Sequence, residues 1–339
     1  MITRRLLGGL AASALTLPAF GPAFGPALAQ TAPVMRRTVD AATAFPAAGR
    51  RPWADQIPNL RIGLLGGENE ADRLGRYGAY RDLLEATFGV PTRLYPASDY
   101  AGVLQAFSAG QIEAASLGAS GYAGAWLDTS GGVEPILAAE ELDGSISYIS
   151  VMVVRADSGI TTLEQMRGKS LAWADPNSTS GYLIPRFGLR QAGIGVETGQ
   201  YFSRTGFAGG HEQGVVAVLQ GQYDGACTWA SGQGDESKGF SRGNLAAMVE
   251  KGMLNMRDLR IIWKSAPIPN GPLTVRATLP ASFKEDMKLF HLALPKAHPD
   301  IYRDVERGGG TGYREVTHAD YQIIVDLRVD EAAQRRRRS

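Results

Sequence analysis

Residues 175–185 read DPNSTSGYLIP, three hydroxyl side chains and a glycine set between an Asp-Pro turn and an apolar run. The pattern predicts the start of a helix, where the first backbone N–H groups lack an intrahelical acceptor and the helix dipole is positive. Ser178, Thr179 and Ser180 add three hydroxyl donors, and Gly181 lets backbone approach closely. Such a site can cradle a tetrahedral oxyanion without a full positive charge. On its own the triplet suits a plain capping turn as well, since one such cap is worth about 1 kcal/mol.

A second cluster, AGGHEQG (208–214), places His211 at the predicted start of the next helix, behind two glycines. A histidine there can donate to an anion, or simply pack. It cannot build the HExxH zinc motif, because the second histidine position is Val215. No GxSxG elbow, Walker loop, dinucleotide fingerprint or paired-cysteine motif accompanies it. The four histidines (211, 291, 298 and 318) have no ligand spacing, and no cofactor or metal is implied. His291 and His298 read as exposed helix positions. Cys227, the only cysteine, precludes an intrachain disulfide and reads as a small buried side chain in GACTWA.

The elements that must position these residues alternate. LRIGLL (60–65), TRLYP (92–96) and AASLG (114–118) read as strands. Between them, Tyr77, Tyr80, Leu83, Leu84 and Phe88 mark one helix face. Tyr100, Val103, Leu104 and Phe107 mark another, capped by Ser98 or Asp99. After a crossing strand, SYISVMVVR (147–155), a second set repeats the pattern. SLAWAD (170–175), FSRTGF (202–207), GACTWA (225–230) and LRIIWKS (259–265) are its strands, and the 178–193 and 209–222 segments are helices. Helices near 281–297, 299–307 and 317–333 close the chain. Two α/β units with an interlobe cleft are expected, the ligand lying where strand ends face helix starts. The boundaries read as lobe 1 over 59–153 plus 268–330 and lobe 2 over 154–267.

The ends carry other information. Arg4 and Arg5 precede an apolar run from Leu6 to Phe20, and Ala27-Leu28-Ala29 resembles a cleavage site, so 1–29 reads as an export signal of Sec or twin-arginine type. Residues 30–58, rich in Ala, Pro and Arg, read as a lead-in linker, and 331–339 as a basic, solvated tail. The chain has 35 Lys and Arg against 34 Asp and Glu; removing 1–29 takes two arginines and no acid, leaving 33 against 34. Bulk charge therefore points away from nucleic acid.

Taken together, DYAGVLQAF (99–107), LDGSISYISVMVV (142–154), DPNSTSGYLIP, AGGHEQGVVAVLQGQYD (208–224) and IIWKSAPIP (261–269) resemble the phosphonate, phosphite and phosphate-binding proteins of ABC importers. The similarity spans about residues 60–330. It implies a two-lobed periplasmic binding protein fold (type II-like) and a monomer. It also implies a periplasmic location, an inner-membrane permease as partner, and no catalysis. Carried over, the oxyanion site uses Ser178, Thr179, Ser180 and His211, with Tyr100 and Tyr148 pointing hydroxyls from the facing lobe. Where relatives present acids to an aminoalkyl ammonium, this chain has Ser231 and Gly271. An unpaired buried ammonium is costly. The resemblance thus implies phosphate, phosphite or a small alkylphosphonate, with Trp229 a wall and Asp235, Glu68 or Glu70 the remaining acids. A sensor that docks on a membrane kinase and a phosphate-ester hydrolase are the alternatives.

Overall fold

In the computed structural model, which describes residues 44–336, the first ordered feature is a helical turn at Pro52–Asp55. Trp53 is buried there, packs edge-on against Phe88 and Phe283, and donates its indole N–H to Asp286 at 2.7 Å. From residue 44 onward the expected linker therefore belongs to the first lobe. Ala54 and Ile57 are buried in the same core and Phe45 packs against it, too few apolar positions to set a period that the sequence could show. The export signal and the rest of the lead-in lie outside the described residues.

The chain then runs β1 (Leu60–Leu64), α1 (Glu70–Phe88), β2 (Thr92–Pro96), α2 (Tyr100–Ser108) and β3 (Ala114–Ser116). Asn69 and Asp99 cap α1 and α2 by accepting backbone N–H groups. Next come α3 (Ala119–Asp128) and β4 (Val133–Glu140), neither of which the sequence pattern signals. From Ala119 to Ala125 α3 is buried on every side, so no polar face creates a 3.6-residue period. β4 contains Pro135, tolerated because it sits where the register against its neighbour shifts.

β5 (Ser147–Arg155) opens the second lobe, followed by β6 (Ser170–Trp173), a π turn at Thr179–Leu183 and α4 (Ile184–Gln191). β7 (Arg204–Phe207), α5 (His211–Leu219), β8 (Gly225–Ala230), α6 (Asn244–Glu250), β9 (Leu259–Lys264) and β10 (Ile268–Pro269) complete it. The chain returns through β11 (Pro272–Arg276), α7 (Ala281–Ala297), α8 (Pro299–Glu306), β12 (Gly312–Glu315) and α9 (Gln322–Arg336).

Two sheets result, ordered β12-β4-β11-β3-β1-β2 and β10-β5-β8-β6-β7, with β9 also on β5. β5 was expected in the first lobe through residue 153. It pairs instead with β8, β9 and β10, so the crossover falls before Ser147 and the return after Pro269. Each sheet is covered by apolar clusters, among them one around Leu60, Leu84 and Phe290 on the first and one around Val151, Val215 and Leu245 on the second. Each such side chain contributes roughly 1.5–3 kcal/mol when fully buried.

Of the basic tail expected over 331–339, residues 331–336 are the end of α9, and 337–339 lie outside the described residues. Glu331 is buried, accepts Tyr182 Oη and Arg186 Nε at 3.1 Å each, and also pairs with Arg190 and Arg335. One acid among four basic or phenolic partners from α4 and α9 draws the last turns onto the second lobe. His291, read as exposed, is also buried, bonded to Tyr80 Oη at 2.9 Å and to the Met287 carbonyl oxygen at 2.7 Å.

Candidate oxyanion site between the lobes

β6 and β7 are parallel neighbours, so the segments leaving their carboxyl ends stand side by side. One is the 175–183 turn; the other is the glycine pair before His211. Asp175 accepts the Asn177 N–H at 2.7 Å and sets the bend. Ser178 then caps the π turn, its Oγ accepting the Gly181 N–H at 3.0 Å. In a π turn the first intrahelical acceptor serves a residue five positions on, so the Thr179 and Ser180 N–H groups precede any internal partner. Gly181 is obligatory: a Cβ there would stand 2.3 Å from Ala174 Cβ and 2.9 Å from His211 Cε1.

A cavity of about 210 Å³ lies between the lobes, and Ser178, Thr179, Ser180, His211, Tyr100 and Tyr148 all line it. The structure thus brings the six side chains of the expected oxyanion site together around one cavity. Thr179 Oγ1 accepts the Ser120 N–H from α3 at 2.8 Å. Because the Ser120 N–H occupies a lone pair of Thr179 Oγ1, the Thr179 hydroxyl hydrogen remains available as a donor. Tyr100 lies beside Ser178, and Tyr148 beside Ser180 and Thr179. Burial pushes both phenols up, which keeps them protonated donors. Tyr148 sits on β5, in the second lobe rather than the facing one, so only Tyr100 reaches the floor from across the cleft.

His211 Nε2 lies 3.1 Å from Ser178 Oγ, while Nδ1 is buried without a partner among the described residues. Burial, with the nearby Arg307 adding, pushes the imidazole down to about 3, so the ring is neutral at ordinary pH. Cys227 is buried and burial pushes its thiol up, so it takes no part.

The acids lie elsewhere than the alignment suggested. Ser231 is turned into a loop, its Oγ 2.8 Å from Ser241 Oγ, and does not line the cavity. Asp235 is exposed and caps a helical turn; Glu70 is exposed too. Gly271 does line the cavity, but a Cβ on it would stand 2.0 Å from the Leu117 carbonyl oxygen. Glu68 reaches the cavity and is fully engaged, by Arg76 at 2.6 and 2.9 Å and Arg307 at 2.6 Å. Burial pushes its carboxyl up, but Arg307 and Arg76 together bring it below the ordinary value.

Sequence reasoning missed the arginines. Arg242, Arg307, Arg76 and Arg73 line the same cavity. Arg242, from the second lobe, is buried between Glu141 at 2.8 Å and Glu306 at 3.0 Å of the first. Arg307 ends α8 at φ +56°, a left-handed conformation that a non-glycine residue adopts at a cost of roughly 1–3 kcal/mol. An arginine before Gly308-Gly309-Gly310, where helices usually place the glycine itself, was the available signal.

Residues 62–321 match the family model described as the periplasmic substrate-binding protein of a phosphonate ABC transporter. The Phosphate-import protein PhnD of Mycolicibacterium smegmatis is 28% identical over 214 residues, 61% of this chain and 62% of that protein. The Phosphonates-binding periplasmic protein of Escherichia coli is 27% identical over 275 residues, 80% of this chain and 75% of that one. Among solved structures, a phosphonate transporter binding protein from Pseudomonas aeruginosa superposes with TM-score 0.67 at 22% identity, covering 80% of this chain and 85% of its own. PhnD1 of Prochlorococcus marinus, solved with methylphosphonate, gives 0.64 at 18%, covering 80% and 97%. With a hydroxyl-lined interlobe cavity and a family match over most of its length, the chain belongs to the periplasmic substrate-binding proteins of phosphonate ABC transporters.

Proposed function

We propose that this protein captures a phosphorus oxyanion, namely phosphate, phosphite or an alkylphosphonate, between its lobes and presents it to an inner-membrane permease. In this reading it works in the periplasm as a monomer, after export by a Sec or twin-arginine signal. The observation that carries the reading is the convergence of five hydroxyls and the His211 imidazole around one cavity. Neutral donors suit a tetrahedral anion: they bind its oxygens while lobe closure removes water, and they release it when the lobes part. Ser178, Thr179, Ser180, Gly181, His211, Tyr100 and Tyr148 are the binding set. The printed names of the relatives, a phosphate importer, a phosphonate binder and a methylphosphonate complex, support the same ligand class. With Ser231 outside the cavity and Glu68 and Glu306 engaged by arginines, no free carboxylate awaits an ammonium, and aminoethylphosphonate binds weakly.

Calorimetry with phosphate, phosphite, methylphosphonate, aminoethylphosphonate and sulfate tests the reading. At least one of the first three binds below about 100 µM, roughly 5.5 kcal/mol. Binding of none of them overturns it.

A further inference from the structure

The cavity has more cationic donors than acids to satisfy them, with four arginines and two glutamates in its lining. Glu68 binds Arg76 through both carboxylate oxygens and Arg307 through one of the same oxygens. One carboxylate therefore serves two guanidiniums, and the unused donors sit on Arg307. Among the described residues Arg307 has no other acidic partner within ion-pair distance. The second acid of the cavity, Glu306, is occupied by Arg242 at 3.0 Å and by Tyr313 Oη at 2.7 Å. An ammonium group entering here meets saturated carboxylates, whereas an anionic group meets open N–H donors.

Backbone geometry makes the same residue unusual. Arg307 occupies the left-handed position that closes α8, with the Gly308 N–H bonded back to the Arg303 carbonyl oxygen at 3.0 Å. Glycine is the residue that fits this position without strain, and three glycines follow immediately. A strained arginine kept where glycine is cheaper points to a task for its side chain.

We propose that the cleft is built for a phosphonate bearing a second negative group, a phosphonocarboxylate, whose carboxylate is bound by Arg307. This rests on the reading above, in which the phosphonyl group lies on the Ser178–Ser180 turn. A guanidinium offers the planar pair of donors that a carboxylate accepts, which a lysine could not supply in that form.

The test is calorimetry of the purified protein with ethylphosphonate, phosphonoacetate, 3-phosphonopropionate and 2-aminoethylphosphonate. The better of the two phosphonocarboxylates binds at least about tenfold tighter than ethylphosphonate, a ratio worth roughly 1.4 kcal/mol. Arg307→Gly provides the decisive variant, because it suits the backbone and leaves Glu68 with Arg76. It melts no lower than the parent, yet brings the affinity ratio to within about threefold of unity. Arg307→Lys keeps the charge and retains part of the ratio. A parent ratio near or below one overturns the proposal. So does an unchanged ratio in Arg307→Gly, including a parallel weakening of both ligands, which would assign Arg307 to the phosphonyl group. In those cases ethylphosphonate still binds and the proposed function stands. Failure of every phosphonate and of phosphate to bind overturns both.

Discussion

Ser178 Oγ stands 3.1 Å from His211 Nε2 while accepting the Gly181 N–H at 3.0 Å. One hydroxyl thus joins the turn after β6 to the start of α5, with Tyr100 beside it from the other lobe. Its loss removes both bonds at once.

Ser178→Ala therefore weakens phosphate or methylphosphonate binding by at least about tenfold, since a hydrogen bond to a charged group is worth roughly 1.5–3 kcal/mol. The melting temperature falls as well, because the π turn loses its cap. Titration calorimetry and a thermal melt read the two effects. Unchanged affinity would remove Ser178 from the binding set.

His211 imposes a pH dependence on the unliganded protein. Its folded value is about 3 against 6.5 when unfolded, so the unfolded chain binds more protons between those limits. Stability is full above pH 6.5 and is lost as pH falls toward 3. His291, pushed down to about 4 by burial, adds in the same direction. Urea unfolding at pH 7.0 and 5.5 shows the loss, and His211→Asn diminishes the difference. A bound anion places negative charge beside the imidazole, so ligand shrinks the difference too. An equal pH slope in parent and variant would contradict this.

Arg242 latches the lobes. Its guanidinium crosses from the second lobe to Glu141 and Glu306, and Glu141 is wholly buried, with Asn270 Nδ2 at 2.9 Å as a further donor. Arg242→Gln leaves that carboxylate with too few donors, a change that typically costs about 3–5 kcal/mol. The strain is relieved by opening, so small-angle scattering of the variant reports a larger radius of gyration. Identical scattering with undiminished stability would show that the triad is not a latch.

Gly271→Asp tests whether the missing acid can be restored. A Cβ at this position meets the Leu117 carbonyl oxygen at 2.0 Å and Gly118 Cα at 2.9 Å, both backbone atoms. The variant loses stability by several degrees in melting temperature and gains no measurable aminoethylphosphonate binding. A stable variant with that affinity would show that the backbone yields here.

Much of the site was legible because local chemistry sufficed. Ser178 through Gly181 and His211 sit at helix starts, and helix starts announce themselves through caps, glycines and the apolar run that follows. The alternation of strands and helices likewise followed from periodicity. It failed where burial removed the period, as in α3, or where proline masked a strand, as Pro135 does in β4.

Pairing decided the rest. β5 has a sequence that either lobe could accept, and only its hydrogen bonds to β8, β9 and β10 carry Tyr148 to the second lobe. Glu331 and the last arginines look like a charged tail until α4 supplies Arg186 and Arg190. The arginines are the largest such gap: Arg76, Arg242 and Arg307 are far apart in the chain, and Glu68, Glu141 and Glu306 give them their places only in the folded protein. Short-range order and capping act over one turn and can be read from neighbours in sequence. The charge balance of a cleft is a sum over residues brought together by the fold, so the hydroxyl floor could be named from sequence while the arginines lining the same cavity could not.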